Sequence, residues 1–148
     1  MTDLTYLQNK ASTLAGYLED LAVYRGLPLD EYLSNMEKRR SVERTIEIIV
    51  QCSVDMNHAL LFAARQPAPA TYYDSFMDLI SAGLVPATLA KKLASAAGLR
   101  NRLAHEYDNL DNEIVHANIK HILRDFPPYL RAIQGYIDGL ERKATDEE

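Results

Sequence analysis

The chain has 148 residues, of which 47% are hydrophobic and 25% are charged, a composition typical of one globular domain over residues 1–148. Its net charge of −5 disfavours proteins that coat nucleic acid, because these carry a basic surplus. With one cysteine, few glycines and no Cys/His pairs at zinc spacing, the sequence argues against disulfide scaffolds, phosphate-loop enzymes and zinc proteins.

We expect a cytoplasmic protein that does not enter the membrane. No apolar run approaches the roughly 18 residues that a membrane span needs. The first ten residues, MTDLTYLQNK, lack the positive start and apolar stretch of a signal peptide. The single cysteine, Cys52, allows no disulfide within the chain, as is usual in a reducing compartment.

The hydrophobic pattern is helical from the first residues onward. Positions 4, 7, 11, 14, 18 and 21 are apolar at three–four spacing, which predicts a helix that stops at Arg25, Gly26 and Pro28. A second helical start follows at 28–40, and Ser41 is either the N-cap or a kink point of a long helix over 41–66. The segment QPAPAT, at 66–71, predicts a loop.

The second half of the chain repeats this helical pattern. A short helix over 72–82 should end at Gly83, and Pro86 should open a helix that continues into the segment GLRNRLAHEYDNL, at 98–110. A final long helix follows DNLDNE, and Pro127 and Pro128 should kink or interrupt it. The predicted fold class is therefore all-α: an antiparallel bundle of four long helices plus a short one, with a frayed acidic tail at 144–148.

Arg100 stands in the apolar stripe of its helix, at a position where a leucine is expected. A desolvated arginine costs several kcal/mol unless it is paired or faces a cleft. The spacing alone leaves two interpretations open. Arg100 is either a structural ion-pair or snorkelling side chain at the end of the bundle, or a group that binds a ligand in a cleft.

His105 follows Arg100 by five residues, which places the two side chains about 140° apart on an unbroken helix. They can act together if the helix unwinds near His105, or if a second copy of the chain brings its own segment across a two-fold axis. Asn101 lies four residues before His105 and could orient its imidazole. Arg102 and Glu106 have the spacing of a solvated surface ion pair.

The remaining histidines and the cysteine fit structural roles better than chemical ones. His58, His116 and His121 lie on other helices without an identifiable partner, which is typical of surface or packed histidines. His116 and His121 are five residues apart, whereas ligands on one helix are three or four apart, so we expect no metal site. Cys52 is predicted to be a small buried apolar residue.

The run RNRLAHEY, with Arg100, His105 and Tyr107, resembles the RX4HXY signature of HepT-like proteins. The resemblance extends from about residue 40 to residue 130 and includes the approach GLVPATLAKKLASAAGLRN. It implies a five-helix HEPN bundle that forms a homodimer, with the two signature segments facing each other in a cleft. These proteins are ribonuclease toxins encoded beside a minimal nucleotidyltransferase antitoxin of the MntA type.

The same resemblance implies roles for individual residues. Arg100 and His105 would be the catalytic pair of a metal-independent endoribonuclease that needs no cofactor, and Asn101 would be a supporting polar group. Tyr107 resembles the tyrosine to which the antitoxin transfers AMP. Arg102 would contact RNA, and since the chain is acidic overall, the local attraction for RNA must come from Lys91, Lys92, Arg100 and Arg102.

These residue types suit the reaction. RNA carries its own nucleophile, the 2′-OH, so cleavage needs only proton transfer and charge stabilisation. Histidine, with an ordinary pKa of ~6.5, can act as base or acid near neutral pH, and arginine can hold the phosphate. Two other interpretations stay open: a non-catalytic HEPN adaptor that binds a nucleotidyltransferase or a nucleotide, and a structural bundle with a dimer interface at this helix end.

Overall fold

A computed structural model describes residues 3–105 and 111–147, and the elements within these ranges are all α-helices. They are α1 (Leu4–Ala22), α2 (Leu29–Ser34), α3 (Met36–Ala63), α4 (Tyr72–Ser81), α5 (Ala87–His105) and α6 (Asn112–Asp146). The prediction of an all-α bundle is confirmed. The predicted count of four long helices and a short one is wrong, because the segment 28–40 contains a separate short helix, α2, and the start of α3.

Asn35, not Ser41, sets the start of α3. The Asn35 side chain accepts a hydrogen bond from the backbone N–H of Lys38, which satisfies one of the free donors of the first helical turn. Ser41 lies one and a half turns inside the helix, where its carbonyl accepts a hydrogen bond from the Thr45 hydroxyl. The sequence left Ser41 open as an N-cap or a kink point; because serine and asparagine are similarly good caps, local preference does not select between positions 35 and 41.

Helix α1 runs antiparallel to both α3 and α6. Near its start, Lys10 pairs with Asp55 of α3, and near its end Tyr24 donates a hydrogen bond to Ser41 of α3. Helix α1 also runs antiparallel to α6. The start of α1 lies near the end of α6, and the Leu27 carbonyl, just beyond the end of α1, lies 2.6 Å from Nε2 of His116 near the start of α6. The predicted stripe is buried at all positions except Leu4, which packs against the core from its edge; the buried members are Leu7, Ala11, Leu14, Leu18 and Leu21.

Helix α4 is bounded by two local signals. Thr71 caps its first turn by accepting from the Asp74 N–H, directly after the predicted loop at 66–71. Gly83 adopts a left-handed conformation with φ of 73°, and the next N–H, of Leu84, bonds back to the Leu79 carbonyl. The predicted end at Gly83 is therefore confirmed.

Helix α6 continues through Pro127 and Pro128, so of the two predicted alternatives, a kink or an interruption, the interruption is wrong. Each proline removes one backbone donor, but the flanking Phe126 and Tyr129 are fully buried and form an aromatic cluster with Phe76 of α4. Packing of these rings holds the helix together where two hydrogen bonds are lost. The acidic tail, where we expected fraying, is helical as far as Asp146 and exposed.

Helix α3 is long and apolar enough to cross a membrane by length and composition, contrary to our expectation from the sequence. More than half of its most apolar window, 56%, is buried inside the bundle, against α1, α4, α5 and α6. This burial is the property of the central helix of a bundle, because the apolar surface is covered by protein.

A buried polar network joins α3, α4 and α6 at the centre of the bundle. The Tyr129 hydroxyl of α6 donates to Oδ1 of Asn57 at 2.5 Å and lies 3.1 Å from the Ser53 carbonyl. Nδ2 of Asn57 in turn donates to Oγ of Ser75 in α4 at 3.2 Å. Because buried polar groups need partners, this network fixes how α4 lies on α3 and α6.

The network makes stability dependent on pH. Burial raises the pKa of Tyr129 well above its ordinary value of 10, and burial raises that of Tyr32 too. A phenol that keeps its proton in the folded state while the unfolded chain loses it stabilises the fold fully below pH ~10, and this contribution is lost as pH rises further.

We therefore expect Tyr129→Phe to lower the free energy of unfolding by about 1–3 kcal/mol near neutral pH, because Oδ1 of Asn57 loses its donor. Above pH ~10 the difference from the natural protein should shrink by up to ~1.4 kcal/mol per pH unit, since the variant lacks this phenol. Urea denaturation monitored by circular dichroism across this range measures both effects. Tyr73→Phe, at a half-exposed tyrosine of α4, is the control, and a constant difference at all pH values would contradict the assignment.

Candidate active site

Arg100 of α5 lies half-buried where α5 meets α3 and α4. Its Nη2 donates a hydrogen bond to Oε1 of Gln51 at 3.2 Å, and its guanidinium carbon stands 5.0 Å from the centre of the Tyr72 ring. Its Nε is buried and has no hydrogen-bond partner among the residues that the structure describes. The prediction that this seam arginine is partly desolvated is confirmed.

A cleft of about 240 Å³ opens beside Arg100 between α1, α3 and α5. We call it the Arg100 cleft, and its walls combine charged and apolar side chains. The residues that line it are Lys10, Thr13, Tyr17, Arg44, Glu47, Ile48, Gln51, Cys52, Asp55 and Arg100. Of the two interpretations of Arg100, a structural ion-pair or snorkelling side chain and a group that binds a ligand in a cleft, the geometry within the described ranges favours the second.

Two of the three cations in the Arg100 cleft are already paired. Nζ of Lys10 donates to Oδ2 of Asp55 at 2.9 Å, and Nη1 of Arg44 lies 3.5 Å from Oε2 of Glu47. The hydrogen bond to Asp55 raises the pKa of Lys10, with the Coulomb attraction of the same carboxylate adding to it and burial opposing it. Each pair cancels its own charge.

Arg100 differs from these two cations because its contacts are neutral. Gln51 offers an amide oxygen and Tyr72 an aromatic face, and no carboxylate pairs with Arg100 within residues 3–105 and 111–147. An amide and a ring stabilise the guanidinium without neutralising it. Its positive charge can therefore act on an anion that enters the cleft.

The other predicted site residues of α5 lie outside the cleft. Asn101, Arg102 and His105 are exposed, and the described contacts include no hydrogen bond or ion pair made by their side chains. The helix is continuous from Arg100 to His105, so it does not unwind between them, and the two side chains leave the axis about 140° apart. Within one chain the structure does not bring His105 to Arg100. Glu106 and Tyr107 lie outside the described residues.

The remaining candidates take the structural roles that the sequence favoured. His116 is held by the Leu27 carbonyl and lies against the Tyr32 ring, with centroids 5.4 Å apart, while His58 is exposed. Cys52 is buried, its thiol donates to the Lys10 carbonyl at 3.2 Å, and burial raises its pKa. Within the described ranges, no group of three His, Cys, Asp or Glu side chains is placed to hold a metal ion.

Sequence reasoning missed the two residues that hold Arg100. Gln51 precedes Arg100 by 49 residues, and Tyr72 lies in a short helix after a loop. Neither belongs to a motif, and each is a residue type that is common in ordinary amphipathic helices. The only signal available was the arginine itself, which in an apolar stripe requires polar contacts from other helices.

Comparisons with known proteins agree on one family. Residues 14–133 match the family model described as "Ribonuclease HepT-like". The curated tRNA nuclease HepT of Aphanizomenon flos-aquae (strain 2012/KM1/D3) is 32% identical over 137 residues, which cover 93% of this chain and 93% of that protein.

Solved structures agree on the fold. A tri-AMPylated HEPN toxin of Shewanella oneidensis in complex with its MNT antitoxin superposes with a TM-score of 0.80 at 23% identity, covering 91% of this chain and 99% of that one. A toxin–antitoxin structure with AMP-PNP gives 0.81 at 21% identity, covering 88% and 98%. YutE of Bacillus subtilis, described as a cytosolic protein of unknown function, gives 0.76 at 16% identity, covering 89% and 91%. The bundle therefore has the HEPN-like fold.

Proposed function

Because this chain belongs to the HepT-like ribonuclease family, we propose that it is the toxin of a toxin–antitoxin pair and cleaves RNA without a metal ion or other cofactor. The observation that carries this proposal is Arg100, a half-buried cation with neutral contacts beside a cleft. The curated relative is named a tRNA nuclease, so tRNA is the first substrate to test. We place the protein in the cytoplasm, where tRNA is found.

In the proposed reaction Arg100 binds the scissile phosphate and His105 transfers protons. A base takes the proton of the 2′-OH, the 2′ oxygen attacks phosphorus, and the bond from phosphorus to the 5′ oxygen breaks as an acid protonates that oxygen. The products are a 2′,3′-cyclic phosphate and a free 5′-OH. Arg100 stabilises the charge that develops on the phosphate oxygens, while Asn101 supports His105 and Arg102 holds the neighbouring RNA backbone.

A homodimer would combine the residues that one chain keeps apart. Since α5 is unbroken between Arg100 and His105, one chain directs them to different sides. A two-fold axis near the end of α5 would bring His105 of the partner subunit toward Arg100. Each dimer would then contain two composite sites, each made of Arg100 of one subunit and His105 of the other.

We further propose that an MNT-type nucleotidyltransferase silences the toxin by transferring AMP from ATP to the Tyr107 hydroxyl, with pyrophosphate as the leaving group. A tri-AMPylated relative bound to its MNT antitoxin supports this assignment. Tyr107 lies two residues after His105 in the sequence. AMP at that point would add bulk and negative charge beside the groups that must receive an RNA phosphate.

Cleavage of tRNA by the purified protein tests the proposed ribonuclease activity. Purified protein, incubated with tRNA in EDTA, should produce fragments with cyclic-phosphate and 5′-OH ends, and Arg100→Ala or His105→Ala should lower the rate at least a hundredfold. Arg142→Ala and His58→Ala, at exposed positions on other helices, are the matched controls. Absence of cleavage by an unmodified dimer would instead favour a non-catalytic adaptor that binds the nucleotidyltransferase.

Mixing of variant chains tests the composite site of the proposed dimer. Arg100→Ala and His105→Ala chains, each inactive alone, should regain about one quarter of the natural activity when mixed in equal amounts, because half of the dimers then contain one intact composite site. A chain with both substitutions, mixed with Arg100→Ala, should regain nothing. A monomeric form that cleaves as fast as the dimer would contradict the composite site.

Treatment with the partner nucleotidyltransferase tests the proposed silencing at Tyr107. Incubation with the partner nucleotidyltransferase, ATP and Mg²⁺ should add AMP to the protein and abolish tRNA cleavage, and Tyr107→Phe should remove the modification at that residue. Intact-mass and peptide mass spectrometry measure the modification, with Tyr136→Phe as the control. Loss of activity on mixing with the antitoxin without added mass would show occlusion of the cleft instead.

A further inference from the structure

We propose that Gln51 is the positioning residue of Arg100: it fixes the guanidinium at the cleft and, being neutral, leaves its charge for an RNA phosphate. The inference rests on the proposed ribonuclease function. It assigns a role to a residue of α3 that lies outside the RX4HXY segment.

The hydrogen bonds of Gln51 determine which way its amide faces. Its Nε2 donates to Oδ1 of Asp55 at 3.0 Å, and Oε1 accepts from both the Tyr72 hydroxyl, at 2.9 Å, and Nη2 of Arg100, at 3.2 Å. A flipped amide would place a donor against two donors and an oxygen against a carboxylate. The amide oxygen is therefore held toward Arg100.

Asp55 stabilises this orientation of the Gln51 amide, because the Asp55 carboxylate is itself held by a second hydrogen bond. Its second oxygen, Oδ2, accepts from Nζ of Lys10 at 2.9 Å. A chain of contacts thus runs from α1 through α3 to α5, from Lys10 to Asp55, Gln51 and Arg100. The Tyr72 ring, 5.0 Å from the guanidinium carbon, limits the movement of Arg100 on the α4 side.

Neutrality is the property that distinguishes glutamine from its acidic isostere here. A carboxylate at position 51 would hold Arg100 in nearly the same place but would pair with it, and an incoming phosphate would have to compete with that pair. The cleft already contains two carboxylates, of Asp55 and Glu47, and each is beside its own cation. Glutamine at position 51 avoids placing a third carboxylate beside Arg100.

The decisive variant moves one carboxylate by a single helical turn. Gln51→Glu combined with Asp55→Asn keeps the net charge and a donor–acceptor pair between the two positions, but it sets the negative charge against Arg100. Asp55→Asn alone is the matched comparison, because it has the same loss of the Lys10 pair. Gln134→Glu, on α6, controls for an added carboxylate elsewhere.

Binding is measured with tRNA-derived RNA carrying a 2′-deoxy group at the scissile position, by fluorescence anisotropy at several salt concentrations. Relative to Asp55→Asn, the double variant should bind about tenfold more weakly, as expected for loss of one charged hydrogen bond. The slope of log Kd against log salt should fall by about 0.7–0.9, the value for one phosphate contact. A purely structural effect would move the melting temperature and leave this slope unchanged.

Gln51→Leu provides an independent test, which does not require that the double variant folds. It removes the acceptor without adding charge, so the salt slope should remain natural while kcat falls about tenfold because Arg100 is no longer oriented. Gln51→Leu with natural kcat would overturn the positioning role, as would a double variant with natural affinity and salt slope, provided that Arg100→Ala is inactive in the same assay. If Arg100→Ala cleaves normally, it is the proposed function that fails.

Discussion

The desolvation of one guanidinium governs the architecture around the cleft. Arg100 sits in a stripe of α5 where its neighbours Leu93, Ala96 and Leu103 are buried, so water cannot satisfy all of its donors. Among the described residues, an amide oxygen from α3 accepts from Nη2 and an aromatic ring from α4 faces the guanidinium, while the buried Nε has no hydrogen-bond partner. Three helices must therefore keep fixed relative positions for one side chain to be tolerated.

The central polar network provides that fixed arrangement. Tyr129 of α6 and Asn57 of α3 hold Ser75, one turn after Tyr72 in α4, while the ring of Phe76 packs on Phe126 and Tyr129. The ring of Tyr72 stands under Arg100 because α4 is anchored from its buried side. The continuity of α6 through its two prolines belongs to the same arrangement, since the anchoring rings lie on either side of them.

The acidic net charge of the chain conceals a local basic surface. Helix α5 contains two lysines and two arginines and no acidic residue, whereas the cations of α1 and α3 beside the cleft are paired with carboxylates. Attraction for an anion acts within about one Debye length, so a helix of one sign can bind phosphate on a chain of the opposite sign. The negative net charge therefore limits how much nucleic acid the protein can cover, but it does not by itself exclude action on RNA.

The all-helical pattern, several helix ends and the RX4HXY motif can be recognised in the sequence. The extent of α1 and the end of α4 follow from local signals, the apolar stripe and Gly83, because each acts within a few residues of the chain. The resemblance to the RX4HXY signature predicts Arg100, His105 and Tyr107 as site residues, and the seam position of Arg100 predicts its burial.

Only the tertiary structure decided what surrounds Arg100. Gln51 and Tyr72 are ordinary residues of other helices, and their role depends on distances set by the packing of α3, α4 and α5. The choice of Asn35 over Ser41 as the cap of α3, and the unbroken α6, likewise depend on chain path and ring packing. Local signals favour particular helix ends, but the choice between competing signals and the contacts between residues far apart in sequence depend on the core, which brings the helices together.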